Sequence, residues 1–353
     1  MKQAKNFSFY IFAGVLSYGS LSFYLLPQAT FQGDLTRLGM ISEVEFGWRK
    51  PQPQIDSMLF KQSTLQDADV LVIGDSFSDN PGQPSLVWQT VLTQHKLKVR
   101  TEHWGNFGGI CADFMPWLRK QGFKGKYLIV ETVERGLMTN IDNSVGCKQT
   151  QYRSHHTTDI PRNPPVVSFD VNDGNYAGKL STGLRTQFNL IKYNQTKKVS
   201  DFTTMSLPNK VNLTRVKNGC ELFSHHSCSD ALFLGEDQSP EIDKTVLEKI
   251  EILNSRLTGI NLIWVIVPNK STAYLYPDKQ FWNKAEQRIH APNLLRMTHE
   301  AINRKVIDLY PANNTHFSTT GYLMMGDLVY RSLQEIPSAS TTKIPANASI
   351  KQR

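Results

Sequence analysis

Ser76 lies shortly after a run of apolar residues. Residues 72–78 read Val-Ile-Gly-Asp-Ser-Phe-Ser, so Ser76 falls in the turn after a predicted buried strand. In α/β folds such turns lie at the carboxyl edge of the sheet, where ligands bind. A helix after the turn can direct N–H groups at a developing negative charge. Ser76 is a candidate nucleophile; the alternative is a turn in which Asp75 and Ser76 only cap backbone groups.

A histidine near the other end of the chain is the candidate base. A serine hydroxyl is a weak nucleophile at neutral pH and needs a partner that removes its proton. His316 lies in a loop, residues 310–318, that follows another predicted strand. This placement predicts that His316 reaches the same sheet edge as Ser76, although most single histidines are ordinary surface residues.

Strand-like and helix-like segments alternate around these two loops. The predicted strands are 69–73, 97–101, 126–130, 260–267 and 306–309. The predicted helices are 85–95, 114–121, 242–257, 284–303 and 319–333. Such alternation favours an α/β fold, with a mostly parallel sheet between two layers of helices.

The regularity of the pattern divides the chain into four parts. We expect an N-terminal membrane segment at 1–33, a linker at 34–64, one domain at 65–335 and an unstructured tail at 336–353. Within the domain, residues 140–240 lose the alternation and are rich in Asn, Thr, Ser and Lys. They are interpreted as a long insertion on the sheet.

The N-terminal segment sets the expected compartment. Lys2 and Lys5 precede an uncharged, mostly apolar stretch from Phe7 to Pro27, which is long enough to cross a bilayer as one helix. Positive charge before the span favours a cytoplasmic N-terminus, with everything after residue 34 outside the cytosol. We therefore expect a single-pass inner-membrane anchor and a periplasmic domain; a cleaved signal peptide is the alternative.

Composition and cysteine content agree with an exported folded domain. The chain has 353 residues, of which 40% are hydrophobic and 20% charged, which excludes a mostly disordered or polytopic membrane chain. The net charge of +8 is scattered, so it does not indicate nucleic-acid binding. Four cysteines predict two disulfides, Cys220–Cys228 and Cys111–Cys147. A metal site using His225 and its neighbours is the alternative, but no known ligand spacing is matched.

The order of these motifs resembles the SGNH/GDSL hydrolase superfamily. Residues 74–76 (Gly-Asp-Ser) and the late histidine loop carry the likeness, which covers roughly 65–335. Residues 131–135 and 267–274 further resemble the alginate O-acetyltransferase (AlgX and AlgJ) branch. The resemblance implies a three-layer α/β/α fold, with Ser76 as nucleophile and His316 as base.

Three departures from the family pattern stand out. Asn313 occupies the place of the family aspartate, and an amide can orient an imidazole but cannot stabilise imidazolium with a full charge. Asp308, Asp79 or a backbone carbonyl are alternatives for that role. The serine precedes the histidine, the reverse of the alginate enzymes, and no clear Gly-x-Asn-Asp block is present.

The resemblance also assigns candidate binding groups. The oxyanion hole is expected from the N–H of Ser76, the N–H of Gly108 or Gly109 and the side chain of Asn106. Substrate contacts are expected from four further side chains, for which a structural role is the alternative. They are Glu134, Arg135, Lys270 and Tyr274.

Together these features predict an O-acetyltransferase of a cell-envelope or secreted polysaccharide. The mechanism requires no metal or organic cofactor. The expected partners are the polysaccharide acceptor and the membrane, and the resemblance further implies a membrane-bound acyl-transfer protein. A carbohydrate acetylesterase of the same fold is the first alternative. A non-catalytic glycan-binding or scaffold protein of an export complex, which Asn313 favours, is the second.

Overall fold

The computed structural model describes residues 2–79, 86–153, 176–198, 202–237, 242, 245–277 and 279–336. All but the first residue of the predicted tail, 336–353, lies outside the described residues, as do parts of the predicted insertion. The described strands are β1 (Val70–Gly74), β2 (Val99–His103), β3 (Tyr127–Val133), β4 (Thr204–Ser206), β5 (Val211–Arg215), β6 (Asp230–Leu234) and β7 (Asn261–Val267).

The described α-helices lie at the N-terminus and in most of the segments that follow it. They are α1 (Lys2–Leu25), α2 (Asp34–Gly39), α3 (Glu43–Phe46), α4 (Gln89–Gln94), α5 (Phe114–Lys120), α6 (Glu134–Gly146), α7 (Tyr176–Thr196), α8 (Gly219–Leu222), α9 (Thr245–Arg256), α10 (Lys270–Tyr274), α11 (Phe281–Ile289), α12 (Leu294–Asn303) and α13 (Thr319–Glu335).

Four of these strands form one parallel sheet in the order β2-β1-β3-β7. Gly74 at the end of β1 pairs with His103 at the end of β2, and Val133 at the end of β3 pairs with Val267 at the end of β7. Because the strands are parallel, their carboxyl ends meet at one edge. The segments that follow them are therefore brought together there.

Helices cover both faces of this sheet. In β1, Leu71 and Ile73 pack into a core with side chains of α5, α6, α9 and α11. The alternate residues Val70 and Val72 pack into a second core with side chains of α4, α12 and α13. The run of β-branched and aliphatic residues is buried on both sides, as expected for a parallel strand. The predicted α/β class with a mostly parallel sheet is confirmed.

Two predicted elements of the domain were wrong. The expected helix 284–303 is two helices, α11 and α12, because His290 adopts a left-handed backbone (φ +52°) and Pro292 follows. The expected strand 306–309 is a turn, since Lys305 and Asp308 both have φ of +56°. Strand geometry requires negative φ, so these residues cannot extend the sheet.

The expected linker at 34–64 is folded against the insertion. Strands β4, β5 and β6 form an antiparallel sheet. Leu35, Ile41 and Phe46 are fully buried in a core that this sheet shares with Tyr193 of α7. The interpretation of 34–64 as a linker was therefore wrong for its first part, because apolar residues there belong to a core that the insertion completes.

The N-terminal helix α1 is long and apolar enough to cross a membrane. The span Asn6–Ala29 has a mean hydropathy of 1.5 and is only 6% buried. A core helix of a soluble protein would be mostly buried, so this exposure indicates a membrane anchor or a signal sequence.

Both predicted disulfides are present, Cys111–Cys147 and Cys220–Cys228. They indicate an extracytoplasmic domain, because disulfides persist mainly in oxidising compartments. The cysteine thiolates are thereby unavailable as metal ligands, and among the described residues no group of three or more His, Cys, Asp or Glu could hold a metal ion.

Candidate active site

The two catalytic candidates meet at the carboxyl edge of the parallel sheet. Ser76, half-buried, lies two residues after the end of β1, and the buried His316 lies three residues before α13. Nε2 of His316 lies 2.8 Å from Oγ of Ser76, which is hydrogen-bond distance. This geometry permits direct proton transfer between hydroxyl and imidazole.

The serine turn is held in place by Asp75 rather than by a long helix. The carboxylate of Asp75 accepts hydrogen bonds from the N–H of Phe77 (3.0 Å) and from the N–H of Val133 at the end of β3 (2.6 Å). Its carbonyl accepts the N–H of Ser78 and of Asp79. Asp75 thus ties the turn to the neighbouring strand while Ser76 remains accessible.

A buried carboxyl group, Glu131 of β3, lies beneath this turn. Its Oε2 accepts hydrogen bonds from the hydroxyl of Ser78 (2.6 Å) and from the N–H of Asp75 (3.1 Å). Complete burial and the nearby negative charge of Asp75 raise the pKa of Glu131 well above its ordinary value. A Cβ at Gly74 would overlap the side chains of Ser78 and Glu131, so only glycine allows this close approach.

The orienting carboxylate for His316 comes from Asp34, at the first position of α2. Oδ2 of Asp34 lies 3.6 Å from Nδ1 of His316. The N–H of Thr315 donates to Oδ1 of Asp34 (2.9 Å), and the Thr315 hydroxyl donates to Oδ2. Burial alone would raise the pKa of Asp34, but the hydrogen bonds and charge of His316 and the bonds from Thr315 lower it below its usual value.

The imidazole is also fixed by its own loop. The Oδ1 of Asn314 accepts the N–H of His316 (2.9 Å) and lies 3.2 Å from Nδ1. The ring of Phe77 packs against the imidazole with a centroid distance of 4.7 Å. Ser76, His316 and Asp34 together form a Ser–His–Asp arrangement, the array in which the acid holds the imidazole in one orientation.

Asn313 does not occupy the place that the sequence predicted for it. Its side-chain N–H donates to Glu43 (2.6 Å), and its carbonyl accepts the N–H of Leu35 (3.0 Å). It therefore fastens the histidine loop to α2 and α3 instead of contacting the imidazole. Asp308, an alternative for the same role, accepts hydrogen bonds from Ser224. The carboxylate that lies next to the imidazole belongs to Asp34.

Of the predicted oxyanion donors, the N–H of Ser76 fits best. No acceptor for it is found among the described residues. The N–H of Gly108 is directed at the carbonyl of Trp104 (3.2 Å), and the amide of Asn106 donates to Glu102 (2.8 Å). The predicted contribution of Asn106 is therefore wrong in this conformation, since its side chain is buried against Glu102.

Gly109 packs closely against α6, and no acceptor for its N–H is found among the described residues. A Cβ there would approach within 3.1 Å of the backbone of Asn143, in the last turns of α6. The glycine loop does begin beside Ser76, because it follows β2, the neighbour of β1. Gly108 makes a turn with φ of +65°, and the N–H of Gly109 stays a predicted oxyanion donor.

Two of the four expected substrate contacts belong to the core. Lys270 is 1% exposed, and its ammonium donates to the carbonyls of Pro311 (2.6 Å) and Ala312 (2.9 Å). Burial lowers its pKa to about 7. The hydroxyl of Tyr274 accepts the N–H of Tyr310 (3.4 Å), and burial raises its pKa. Both side chains contact the histidine loop. Lys270 is buried beneath it, whereas Tyr274 is half-buried.

The other two expected substrate contacts, Glu134 and Arg135, directly follow β3. Glu134 is buried and accepts hydrogen bonds from the N–H of Asn269 (2.9 Å) and the hydroxyl of Thr272 (2.6 Å). Arg135 is 23% exposed and pairs with the buried Asp237 at 3.3 Å. Burial raises the pKa of Asp237 to about 6, although the charge of Arg135 opposes this shift. Arg135 is thus a charged member of this set that reaches solvent.

Sequence reasoning missed Asp34 altogether, because no local pattern marks an aspartate in a polar segment as a partner of a distant loop. Glu131 did carry a signal: it is a carboxyl group within an otherwise apolar strand. Such a residue is buried unless the strand ends before it, and buried carboxyl groups cluster at functional sites.

The site at Ser76 and His316 does not lie in the large cavity of the protein. A cavity of about 1370 Å³ lies near the amino end of β7 and is lined by Asn261, Ile263, His290, Met297 and Met324, among others. Because the amino ends of parallel strands lie opposite their carboxyl ends, this cavity is remote from Ser76 and His316.

Fold and site together define an α/β protein with a Ser–His–Asp arrangement at the carboxyl edge of a parallel sheet. No protein-family model matches the chain, and neither a curated protein nor a solved structure matches it. The chemistry must therefore be argued from the geometry.

Proposed function

We propose that this chain is a serine acyltransferase of the SGNH/GDSL type that O-acetylates a cell-envelope or secreted polysaccharide. The observation that carries the proposal is the 2.8 Å separation of Ser76 Oγ and His316 Nε2, with Asp34 on the other side of the imidazole. A hydroxyl, a base and an orienting acid in this order are the minimum machinery of acyl transfer through a covalent intermediate.

The first half-reaction acylates the serine. His316 takes the hydroxyl proton as Oγ of Ser76 attacks the carbonyl carbon of an acetyl donor. The N–H of Ser76 stabilises the negative charge that develops on the carbonyl oxygen. The leaving group departs with the proton from His316, and an acetyl ester remains on Ser76. The ionised Asp34 stabilises the transient imidazolium.

The second half-reaction delivers the acetyl group. A sugar hydroxyl attacks the acetyl ester while His316 removes its proton, and the proton then returns to Oγ of Ser76. If water takes the place of the sugar hydroxyl, the same residues make an acetylesterase. The length and apolar character of α1 support transfer, because a domain anchored by such a helix can receive acetyl groups from a membrane-bound acyl-transfer partner. We propose an inner-membrane anchor and a periplasmic domain accordingly.

A serine-directed fluorophosphonate probe tests the nucleophile. We expect wild type to be labelled, and Ser76→Ala and His316→Ala to lose labelling. The exposed Ser206 and His290 provide matched controls, so Ser206→Ala and His290→Ala should label as wild type does. Absence of labelling in folded wild type would instead support the non-catalytic glycan-binding or scaffold alternative.

A second experiment separates transfer from hydrolysis. The full chain is incubated with an acetyl-ester donor and a panel of polysaccharides, and both acetylated glycan and free acetate are measured. Acetylated glycan that disappears in Ser76→Ala supports the transferase. Free acetate alone, across the panel, would identify an acetylesterase.

A further inference from the structure

Helix α7 has an unusual charge distribution for a surface helix. Its 21 residues, Tyr176–Thr196, contain no Asp or Glu, while Lys179, Arg185 and Lys192 are basic. A surface helix of a soluble protein usually mixes both signs of charge. The absence of acidic residues indicates a surface that faces negative charge.

One face of α7 packs on the protein. Gly183, Thr186 and Tyr193 are buried along this face. The hydroxyl of Tyr193 donates to Asp230 of β6 (2.7 Å), and the side-chain N–H of Asn189 donates to the carbonyl of Met40 (2.9 Å). The helix is therefore held at a fixed orientation.

The opposite face exposes three large apolar side chains. Leu184, Phe188 and Ile191 are 60%, 67% and 47% exposed. Their spacing of four and three residues places them on one line along the helix. We call these three residues the α7 stripe. The exposed Arg185 and Lys192 lie beside it.

The position of α7 relative to α1 indicates what covers the stripe. A Cβ at Gly183 would overlap the carbonyl oxygen of Leu25, the last residue of α1. Leu25 lies near the end of the span Asn6–Ala29, which is long and apolar enough to cross a membrane. The middle of α7 therefore lies where that helix leaves the bilayer, within reach of lipid headgroups.

We propose that α7 lies in the surface of an anionic bilayer, with the α7 stripe inserted among the acyl chains and Arg185 and Lys192 at the lipid phosphates. An apolar line flanked by basic residues is the pattern of interfacial helices, which bind through buried apolar area and attraction to anionic lipid. With α1 this makes a second membrane contact, which limits how the folded domain can rotate about its anchor.

Fluorescence from a single labelled cysteine tests this placement in the full chain. The four native cysteines are in disulfides, so an introduced thiol is the reactive one. Phe188→Cys carries a polarity-sensitive dye, and Asn194→Cys, exposed on another side of α7, is the matched control. Circular dichroism establishes that both variants are folded.

In vesicles of phosphatidylethanolamine and phosphatidylglycerol, we expect the Phe188→Cys dye to shift to the blue and to be quenched by lipids with brominated chains. The Asn194→Cys dye should be quenched by aqueous iodide instead. Replacing phosphatidylglycerol by phosphatidylcholine should weaken the lipid quenching at position 188.

Three results would overturn the proposal. Equal iodide quenching at both positions would place the stripe in water. Shielding from iodide without lipid quenching at position 188 would mean that a second copy covers it. Lipid quenching that does not change without phosphatidylglycerol would remove the role of anionic lipid.

Discussion

Oδ2 of Asp34 lies 3.6 Å from Nδ1 of His316, on the side of the imidazole away from Ser76. Thr315 strengthens this relationship, because its N–H and hydroxyl both donate to the same carboxylate. Asp34 therefore stabilises the loop backbone as well as the ring. A carboxylate held this way stays ionised, so its charge is available when the imidazole becomes protonated.

Replacing Asp34 by asparagine should remove most of the activity while the fold persists. The amide keeps the shape and can still accept from Thr315, but it cannot stabilise imidazolium. We expect the rate of fluorophosphonate labelling to fall by about 10³- to 10⁴-fold. Stopped-time labelling followed by gel fluorescence measures this rate.

Asn313→Ala is the informative comparison, because Asn313 contacts Glu43 and not the imidazole. It should lower stability more than it lowers the labelling rate of the folded fraction. A larger rate loss for Asn313→Ala than for Asp34→Asn would contradict the assignment of the acid.

The parallel sheet could be predicted because its strands are buried on both faces. Runs such as residues 70–74 and 262–267 are apolar throughout, and the strands of the structure end within a few residues of the expected positions. The segment 306–309 looks similar in sequence, but Asp308 takes a left-handed backbone while its carboxylate binds Ser224. Such a tertiary contact cannot be recognised in the local sequence.

Only the part of the site that follows predicted strands could be predicted from the sequence. Ser76 and His316 each follow an apolar run, so the topology of a parallel sheet predicts that they meet. Asp34 precedes the sheet and reaches His316 through α2, which packs on the insertion. No periodicity in the sequence connects Asp34 with the loop of His316. Their contact depends on the core that α2 forms with the insertion.

The buried Glu131 should make stability depend on pH. Its ordinary pKa is 4.5, and the folded protein raises it. Above pH 4.5 the unfolded chain loses this proton while the folded chain keeps it, so the free energy of unfolding falls as pH rises. The slope is at most about 1.4 kcal/mol per pH unit for one proton. Glu131→Gln, which mimics the protonated acid, should reduce that slope in denaturant titrations from pH 5 to pH 8.

Glu131→Ala distinguishes the effect of the titrating proton on stability from the effect of the hydrogen bonds. It leaves the hydroxyl of Ser78 and the N–H of Asp75 without this acceptor, which should cost about 1–3 kcal/mol at every pH. An unchanged pH slope in Glu131→Gln would show that the wild-type carboxyl group is ionised when folded.

Lys270 should act through the histidine loop and not on the substrate. In Lys270→Met the carbonyls of Pro311 and Ala312 lose their donor, so His316 is displaced. A displacement of about 1 Å can reduce kcat by about 10²-fold, whereas KM for the acceptor should not change. Lys279→Met is the matched control, because Lys279 is also buried but pairs with Glu134. A raised KM with normal kcat in Lys270→Met would instead indicate a substrate contact.

The two disulfides should contribute unequally to stability. Cys111–Cys147 closes a separation of 36 residues and Cys220–Cys228 one of 8. Loop entropy predicts about 3.8 kcal/mol for the longer loop and about 2.5 kcal/mol for the shorter one. Denaturant unfolding of the double alanine variants measures both values. Because Cys111 follows the glycine loop, its removal should also slow serine labelling, whereas removal of Cys220–Cys228 should not. Equal losses of stability from the two pairs would show that the unfolded chain's entropy is not the main factor.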